Sequence, residues 1–176
     1  MKKIISIIVA LVAVAAVSAS AQRSTHIDTG LNSPYTKDQV SVYYNGMKVA
    51  NADALSFEYL GWGYARDREC VWYCGSLVKG ASGPSFATLG LGYGRDEGGV
   101  FYNGRRLEGA DPESFRVLSQ EYSKDDKFVW FKRKIVRGAD PATFIFIGKS
   151  YGKDKFQVYQ KGKAVSGADP ATFTVN

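Results

Sequence analysis

The chain has 176 residues and a formal net charge of +6, and 14% of its residues are Phe, Trp or Tyr. The charges alternate in sign and form no long basic block, which weighs against a nucleic-acid partner. With 19 glycines and no long amphipathic helical pattern after residue 22, the composition predicts an all-β chain with many turns.

Residues 1–21 are typical of a secretory signal peptide. A short basic stretch precedes an apolar run over residues 4–17, and Ala19–Ala21 forms a small-residue cleavage motif. The apolar run is too short to span a bilayer. We therefore expect cleavage after Ala21, export to the periplasm or the outside of the cell, and no membrane span in the mature chain. A polar N-terminal segment, residues 22–34, follows.

A repeat of 29 residues fills the rest of the chain. Tyrosine recurs at this spacing without any insertion, at Tyr35, Tyr64, Tyr93, Tyr122 and Tyr151. The same spacing aligns a basic residue followed by Asp, a Val followed by an aromatic residue, and a Phe. Such a period is typical of repeat proteins, in which a unit buries its apolar face only against its neighbours. The predicted β domain, residues 35–176, comprises five repeats, at 35–63, 64–92, 93–121, 122–150 and 151–176.

The first part of each repeat is predicted to form a β-hairpin. In residues 42–49, VYYNGMKV, Asn45-Gly46 suits the two positive φ angles of a type I′ turn. This register places two aliphatic residues opposite each other in every copy, as with Val42 and Val49, and a one-residue slip would not do so. The fourth copy has Lys132-Arg133 at the turn. Neither residue takes positive φ easily, so a different turn is expected there.

A Gly-Ala-Asp-Pro turn and a further strand complete each predicted repeat. In residues 138–141 glycine permits unusual φ, Asp bonds the following backbone and Pro blocks strand pairing. The next strand begins near Phe144, which gives a meander of about three strands per repeat. A closed propeller usually needs about 40 or more residues per blade. We therefore expect an open, twisted array of β-meanders or a β-solenoid, with a compact barrel-like or propeller-like closure as the alternative.

The repeated motifs resemble those of the DKNYY family of bacterial proteins. The matching segments are KDQVSVYYNG (37–46), RDEGGVFYNG (95–104), KDDKFVWF (124–131), and GADPATF at 138–144 and 167–173. The resemblance covers almost all of the chain after the predicted signal peptide. It implies an exported bacterial repeat protein with no established activity, and it supplies no catalytic residues.

One column of the repeat is a candidate ligand-binding surface. The residue after the recurring valine is always aromatic, and the hairpin register places it on the face opposite the valine pairs. An exposed aromatic row could stack on sugar rings, whereas coverage of both faces would make the row part of the core. The predicted neighbours differ, because Trp72 faces an apolar Leu77 but Tyr43 faces a charged Lys48. The candidate residues are Tyr43, Trp72, Phe101, Trp130 and Tyr159.

Other reactive residues give little indication of chemistry. His26 is the one histidine and is expected to be a linker residue of the polar segment. On one extended strand Cys70 and Cys74 would lie roughly 13 Å apart at ~3.3 Å per residue, too far for a disulfide. They would be free, joined to another chain or weakly metal-binding. The recurring Lys/Arg-Asp column favours turns and salt bridges over a calcium ladder, because Ca²⁺ takes about six or more oxygen ligands.

These patterns predict no catalytic residues, no cofactor and no metal ion. The leading hypothesis is an exported, non-catalytic β-repeat protein that binds or scaffolds an unknown protein or polysaccharide of the bacterial cell envelope. The alternative is a glycan- or peptidoglycan-binding module that uses the aromatic column. An enzyme is the third hypothesis, and its sign would be a pocket holding carboxylates with raised pKa.

Overall fold

A computed structural model describes residues 33–175 of the chain. The predicted signal peptide, most of the polar segment and His26 lie outside the described residues. Within residues 33–175 the regular structure consists of 19 β-strands. No helix long and apolar enough to cross a membrane occurs among these residues.

The strands form five antiparallel sheets in chain order. Sheet 1 contains β1 (Tyr35–Lys37), β2 (Val42–Tyr44) and β3 (Met47–Lys48). Sheet 2 contains β4 (Glu58–Gly61), β5 (Tyr64–Arg66), β6 (Val71–Tyr73) and β7 (Ser76–Leu77). Sheet 3 contains β8 (Ala87–Gly90), β9 (Tyr93–Arg95), β10 (Val100–Tyr102) and β11 (Arg105–Arg106).

The last two sheets have the same arrangement. Sheet 4 contains β12 (Arg116–Val117), β13 (Tyr122–Lys124), β14 (Val129–Phe131) and β15 (Lys134–Ile135). Sheet 5 contains β16 (Ile145–Gly148), β17 (Tyr151–Lys153), β18 (Val158–Gln160) and β19 (Lys163–Ala164). Every four-stranded sheet takes its first strand from the end of one repeat and the other three from the next.

Each of the first four repeats contributes four strands, so the prediction of about three was wrong. The segment that follows the recurring Phe is divided by a tight turn just before the recurring tyrosine. At Trp62 and Gly63 both φ angles are positive, at 55° and 85°. The chain therefore reverses direction after β4, and β4 pairs with β5. The sequence pattern predicts a single strand in this region.

The predicted hairpin register is confirmed in all five repeats. The amide of Val49 donates to the carbonyl of Val42 at 2.8 Å, and the four equivalent aliphatic pairs are joined at the same distance. Asn45 and Gly46 have the two positive φ angles of the predicted turn, 48° and 80°. In the fourth hairpin only Lys132, at 56°, has positive φ. The expected departure from the Asn-Gly geometry is therefore confirmed.

Each apolar core is shared by two consecutive sheets. Tyr64, Val71, Val78 and Phe86 form one cluster that is completed by Phe101 from the following sheet. Equivalent clusters occupy the other three junctions. The packing confirms that a single repeat does not bury its own apolar face.

The array of sheets is open. No core cluster or hydrogen bond of residues 33–175 joins sheet 1 to sheet 5, and no sheet closes into a barrel. The predicted all-β fold of tandem meanders is confirmed, and its open form is the one that these residues adopt.

Candidate functional site: a basic groove along the hairpin edge

The aromatic column, the ligand surface suggested by the sequence, lies mostly in the core. Trp72 and Phe101 are 0% exposed, Trp130 is 1% exposed and Tyr159 is 2% exposed. Tyr43 alone is half-buried. The four buried rings therefore offer no face to a ligand. They belong to the core, as in the alternative interpretation of this column.

The burial of this column comes from the preceding sheet. The ring of Trp72 lies 5.6 Å from the ring of Phe57, centroid to centroid. At the next three junctions the same pair of columns meets at 5.8, 6.0 and 5.8 Å. Each aromatic side chain thus fills a socket beneath the Phe of the repeat before it.

The recurring aspartates close turns, as predicted, and also tie neighbouring repeats together. One carboxylate oxygen of Asp125 accepts from the amides of Lys127 and Phe128, both at 2.7 Å. Its other oxygen accepts from the amide of Asp111 in the preceding loop at 2.9 Å. The buried Asp67, Asp96 and Asp154 make equivalent bonds to the preceding loop. No group of three or more His, Cys, Asp or Glu side chains within residues 33–175 is placed to hold a metal ion.

The basic residues beside these aspartates bond mainly to loop carbonyls, and among residues 33–175 only Arg66 forms a salt bridge of the predicted kind, with Glu58 at 3.2 Å. Lys124 donates to the carbonyls of Pro141 and Phe144, at 2.8 and 3.1 Å. Lys153 makes the equivalent contacts one repeat later. These basic side chains hold the loop that follows their hairpin against their own sheet. The loop carbonyls accept the bonds because a buried or half-buried carbonyl needs a donor.

Both cysteines are free, in agreement with their predicted separation along one strand. Burial, followed by the charges of Asp67 and Glu69, raises the pKa of the half-buried Cys70 thiol. Cys74 is exposed at the first position of a hairpin turn, with φ at 48°. A raised pKa disfavours the nucleophilic thiolate at Cys70.

A groove of about 800 Å³ runs along the hairpins of sheets 4 and 5. Tyr102, Phe131 and Ile135 supply its apolar lining. Its basic lining residues are Lys132, Arg133, Lys134, Arg137, Lys161 and Lys163. We refer to this cavity as the basic groove.

The basic groove extends to Tyr102 where a turn glycine is missing. A Cβ added at Gly104 would lie 2.6 Å from the Cβ of Tyr73 in the preceding sheet, and one at Gly162 would lie 2.6 Å from that of Phe131. Hairpin turns with glycine at this position therefore approach the neighbouring ring closely. Arg133 occupies the position in sheet 4 and carries a Cβ. That turn is kept away from Tyr102, and the space beside Tyr102 becomes part of the groove.

Most of the positive charge in the basic groove is uncompensated. Lys132 forms an ion pair with Glu121 at 3.3 Å. The other five basic side chains make no ion pair among residues 33–175. Like charges held this close raise the local positive potential and attract anions, over a range of about 8–10 Å at physiological salt.

A similar cavity of about 820 Å³ lies along the hairpins of sheets 2 and 3. Lys79, Arg105 and Arg106 line it together with one acid, Glu108. Arg106 also donates to the carbonyl of Gly98 and lies 5.8 Å from the centre of the Phe101 ring. The last strands of sheets 2 to 5 thus border these two basic cavities.

Basic residues on edge strands also have a structural use, since they prevent edge-to-edge pairing of sheets. That use accounts for Lys134 and Lys163 on their strands. It does not account for Lys132 and Arg133, which replace the favoured turn residues and leave Lys132 with a positive φ. Breaks in a local rule are typical of functional or strained positions.

Sequence reasoning noticed the unusual turn at Lys132-Arg133 but missed the groove. The available signal was the period itself. Lys134 and Lys163 are 29 residues apart, so both lie on the last hairpin strand of their repeats and on one edge of the array. The charges of two repeats converge only if their sheets are neighbours. The alignment of the repeats alone would have indicated that arrangement.

Comparisons with known proteins agree with the motif resemblance. The profile of the DKNYY family matches the chain over residues 35–93, 78–134, 93–153 and 122–176. No curated protein and no solved structure shows a significant match to the chain. The four overlapping matches begin at the first recurring tyrosine and cover all five repeats. The chain therefore belongs to the DKNYY family.

Proposed function

We propose that the chain is an exported, non-catalytic binding module of the bacterial cell envelope, and that its basic groove binds an anionic polysaccharide. The observation that carries the proposal is a set of five basic side chains that lie above an apolar lining and form no ion pair within residues 33–175. Carboxylate or phosphate groups on a glycan would meet Lys and Arg. The flat apolar faces of its sugar rings would lie against Tyr102, Phe131 and Ile135.

The shape of the edge favours a polymer over a small anion. Two cavities of about 800 Å³ occur along the same hairpin edge, one at sheets 2 and 3 and the other at sheets 4 and 5. An extended chain bearing regularly spaced charges could contact both. Binding at two linked sites strengthens attachment without any new contact type, because the second site is engaged at a high effective concentration.

The state of the aspartates supports a binding role over a catalytic one. The Asp125 carboxylate already accepts three amide hydrogen bonds. A carboxylate saturated in this way is poorly placed to take a proton from a substrate. The placement of the protein in the envelope rests on the leader-like sequence of residues 1–21.

The test is a binding titration of residues 22–176 with polygalacturonate, an anionic glycan, and with dextran, a neutral one. We expect binding to polygalacturonate alone, weakening steeply as salt is raised. The groove variant Lys134→Gln/Lys161→Gln/Lys163→Gln should lose at least about ten-fold in affinity, because close charge pairs carry much of such binding.

The matched control is Arg68→Gln/Lys127→Gln/Lys155→Gln, which removes the same charge from the aspartate turns. We expect it to bind like the unmodified protein. Equal losses in the two variants would mean that net charge alone attracts the polymer, and the groove would have no special role. Tight binding to dextran, or binding that ignores salt, would also contradict the proposal.

A further inference from the structure

All four junctions between sheets use the same contacts. A ring from the following sheet enters the socket beneath a Phe, as Phe101 does at Phe86 with centroids 5.8 Å apart. An aspartate of the following sheet accepts a loop amide, as Asp96 does from Ser82 at 2.7 Å. These contacts are directional, because one sheet always gives the ring and the carboxylate while the other gives the socket and the amide.

The ring and carboxylate of sheet 1 have no such socket among residues 33–175. Tyr43 is half-buried, whereas the equivalent rings are at most 2% exposed. One oxygen of Asp38 accepts the Tyr43 hydroxyl at 3.0 Å but no loop amide among residues 33–175, whereas the same oxygen of Asp154 accepts both the Tyr159 hydroxyl and the amide of Asp140. Gly46 has no atom within 4 Å of its Cβ position, although its equivalents contact a neighbouring ring. We call this surface the ring end.

Sheet 5 presents the opposite half of the contact. Tyr151, Val165 and Phe173 are half-buried, whereas the equivalent Tyr122, Val136 and Phe144 are 0%, 3% and 1% exposed. A cavity of about 500 Å³ lies beside Tyr151 and Phe173. The amide of Asp169 has no aspartate to accept it within residues 33–175, although the equivalent amide of Asp140 donates to Asp154 at 2.8 Å. We call this surface the socket end.

We propose that copies of this chain associate head to tail, with the ring end of one copy docked on the socket end of another. Tyr43 would lie against Phe173, and Asp38 would accept from the amide of Asp169. The hydroxyl of Tyr151 would meet the amide of Gly46, as Tyr64 meets Gly104 at 3.0 Å. The interface would therefore continue the one that joins the sheets within each copy.

A second copy is the occupant that this geometry selects. The two ends complement each other in ring and socket and in acceptor and donor, and both halves belong to the same chain. An interface between different surfaces leaves one free ring end and one free socket end after every docking step, so growth continues beyond a dimer. This inference does not rest on the basic groove, which lies along the hairpin edge and shares Lys161 with the cavity at the socket end.

The first experiment is sedimentation velocity on residues 22–176 from about 10 µM to about 500 µM, the range in which a modest interface associates. We expect the weight-average mass to rise with concentration past that of a dimer. A monomer at every concentration, or a mass that stops at a dimer, would overturn the proposal.

A mixing experiment tests the polarity of the contact. Tyr43→Ser removes the ring and Phe173→Ser removes the socket, so each variant alone should remain monomeric. An equimolar mixture should form a complex of two copies that grows no further, because each variant keeps the end that the other lacks. The mixture also shows that both variants still fold at the intact end.

The matched control is Leu55→Ser, at a position that is 81% exposed in the loop after the first hairpin. It should associate as the unmodified protein does. Association of either single variant alone would show that another surface joins the copies, and so would a mixture that stays monomeric while both variants remain folded.

Discussion

The hydroxyl of Tyr64 donates a hydrogen bond to the carbonyl of Gly92 in the next sheet, at 3.2 Å. The same oxygen accepts the amide of Gly104 at 3.0 Å. One side chain of sheet 2 thus holds two separate turns of sheet 3. Tyr35 and Tyr122 make equivalent pairs of bonds. The hydroxyl of Tyr93 makes neither bond.

Replacing Tyr64 by Phe should lower the free energy of unfolding by about 1–3 kcal/mol, because the amide of Gly104 loses its acceptor at a close junction. The matched change Tyr93→Phe should alter stability by less than about 0.5 kcal/mol, since no bond across its junction is lost. Urea unfolding followed by fluorescence measures both. Equal losses would argue against the hydroxyl bridges as the source of the stability.

Glycine at the second hairpin turn position is needed for close approach as well as for positive φ. Gly104 and Gly109 have similar φ angles, 72° and 76°, but only Gly104 has a neighbouring ring where a Cβ would lie. Gly109→Ala should therefore cost about 1 kcal/mol of backbone strain. Gly104→Ala should cost that amount and a further 1–3 kcal/mol, in rough terms, for overpacking against Tyr73.

Thermal unfolding of the two alanine variants measures this difference. The melting temperature should fall clearly further for Gly104→Ala than for Gly109→Ala. Similar melting temperatures would mean that sheets 2 and 3 separate easily, and the shared core would then contribute less than the packing indicates.

Stability should decline in acid as loop carboxylates become protonated. The hydrogen bond from Ser56, followed by that from Arg68, lowers the pKa of Asp53 to about 2 from its ordinary 3.8. The pKa values of Asp111 and Asp140 are also lowered, chiefly by side-chain hydrogen bonds from Ser114 and Thr143. A lowered native pKa stabilises the fold above pH about 4 and loses that effect as the pH falls toward about 2.

The melting temperature measured from pH 5 down to pH 2, in rough steps of half a unit, should therefore fall mainly below about pH 4. Asp53→Asn removes one of the titrating groups and should make that fall shallower. A variant with the same acid profile as the unmodified protein would show that Asp53 titrates equally in the folded and unfolded chain.

Alkaline pH should also destabilise the protein, through the buried tyrosines. Burial, followed by the nearby charge of Asp154, raises the pKa of Tyr159 to about 12. The unfolded chain ionises near pH 10, so the stabilising effect is complete below that value and is lost as the pH rises toward about 12. Tyr159→Phe should shift the alkaline unfolding midpoint upward. An unchanged midpoint would indicate that other groups cause the alkaline transition.

The hairpins were the most predictable part of the fold. Asn45-Gly46 and the aliphatic pairs fixed the register, because turn and pairing information lies within eight residues. The fourth strand was hidden, since its turn reads Trp62-Gly63 in one repeat and Lys149-Ser150 in another. Turns of such different composition show no common signal when the repeats are aligned.

The burial of the aromatic column could not be predicted from the strand that carries it. Trp72 faces an apolar Leu77 and Phe101 faces a charged Arg106, yet both rings are 0% exposed. Their cover comes from the preceding sheet, and no pattern within a hairpin records that contact. The basic groove is likewise absent from any single hairpin, because its lining joins Tyr102 to residues one and two repeats later, and only the comparison of neighbouring repeats could have indicated it.

Because a ring of one repeat always enters the same socket of the repeat before it, the gene could gain or lose a 29-residue period without opening a hole in the protein. Deleting residues 64–92 would bring Phe101 onto Phe57, a contact of the kind already present at Phe86. Unequal recombination could thus change the number of repeats while every junction between sheets stays packed. Each duplication of residues 122–150 would add another Lys132-Arg133 turn. The number of basic grooves would then be inherited with the number of repeats.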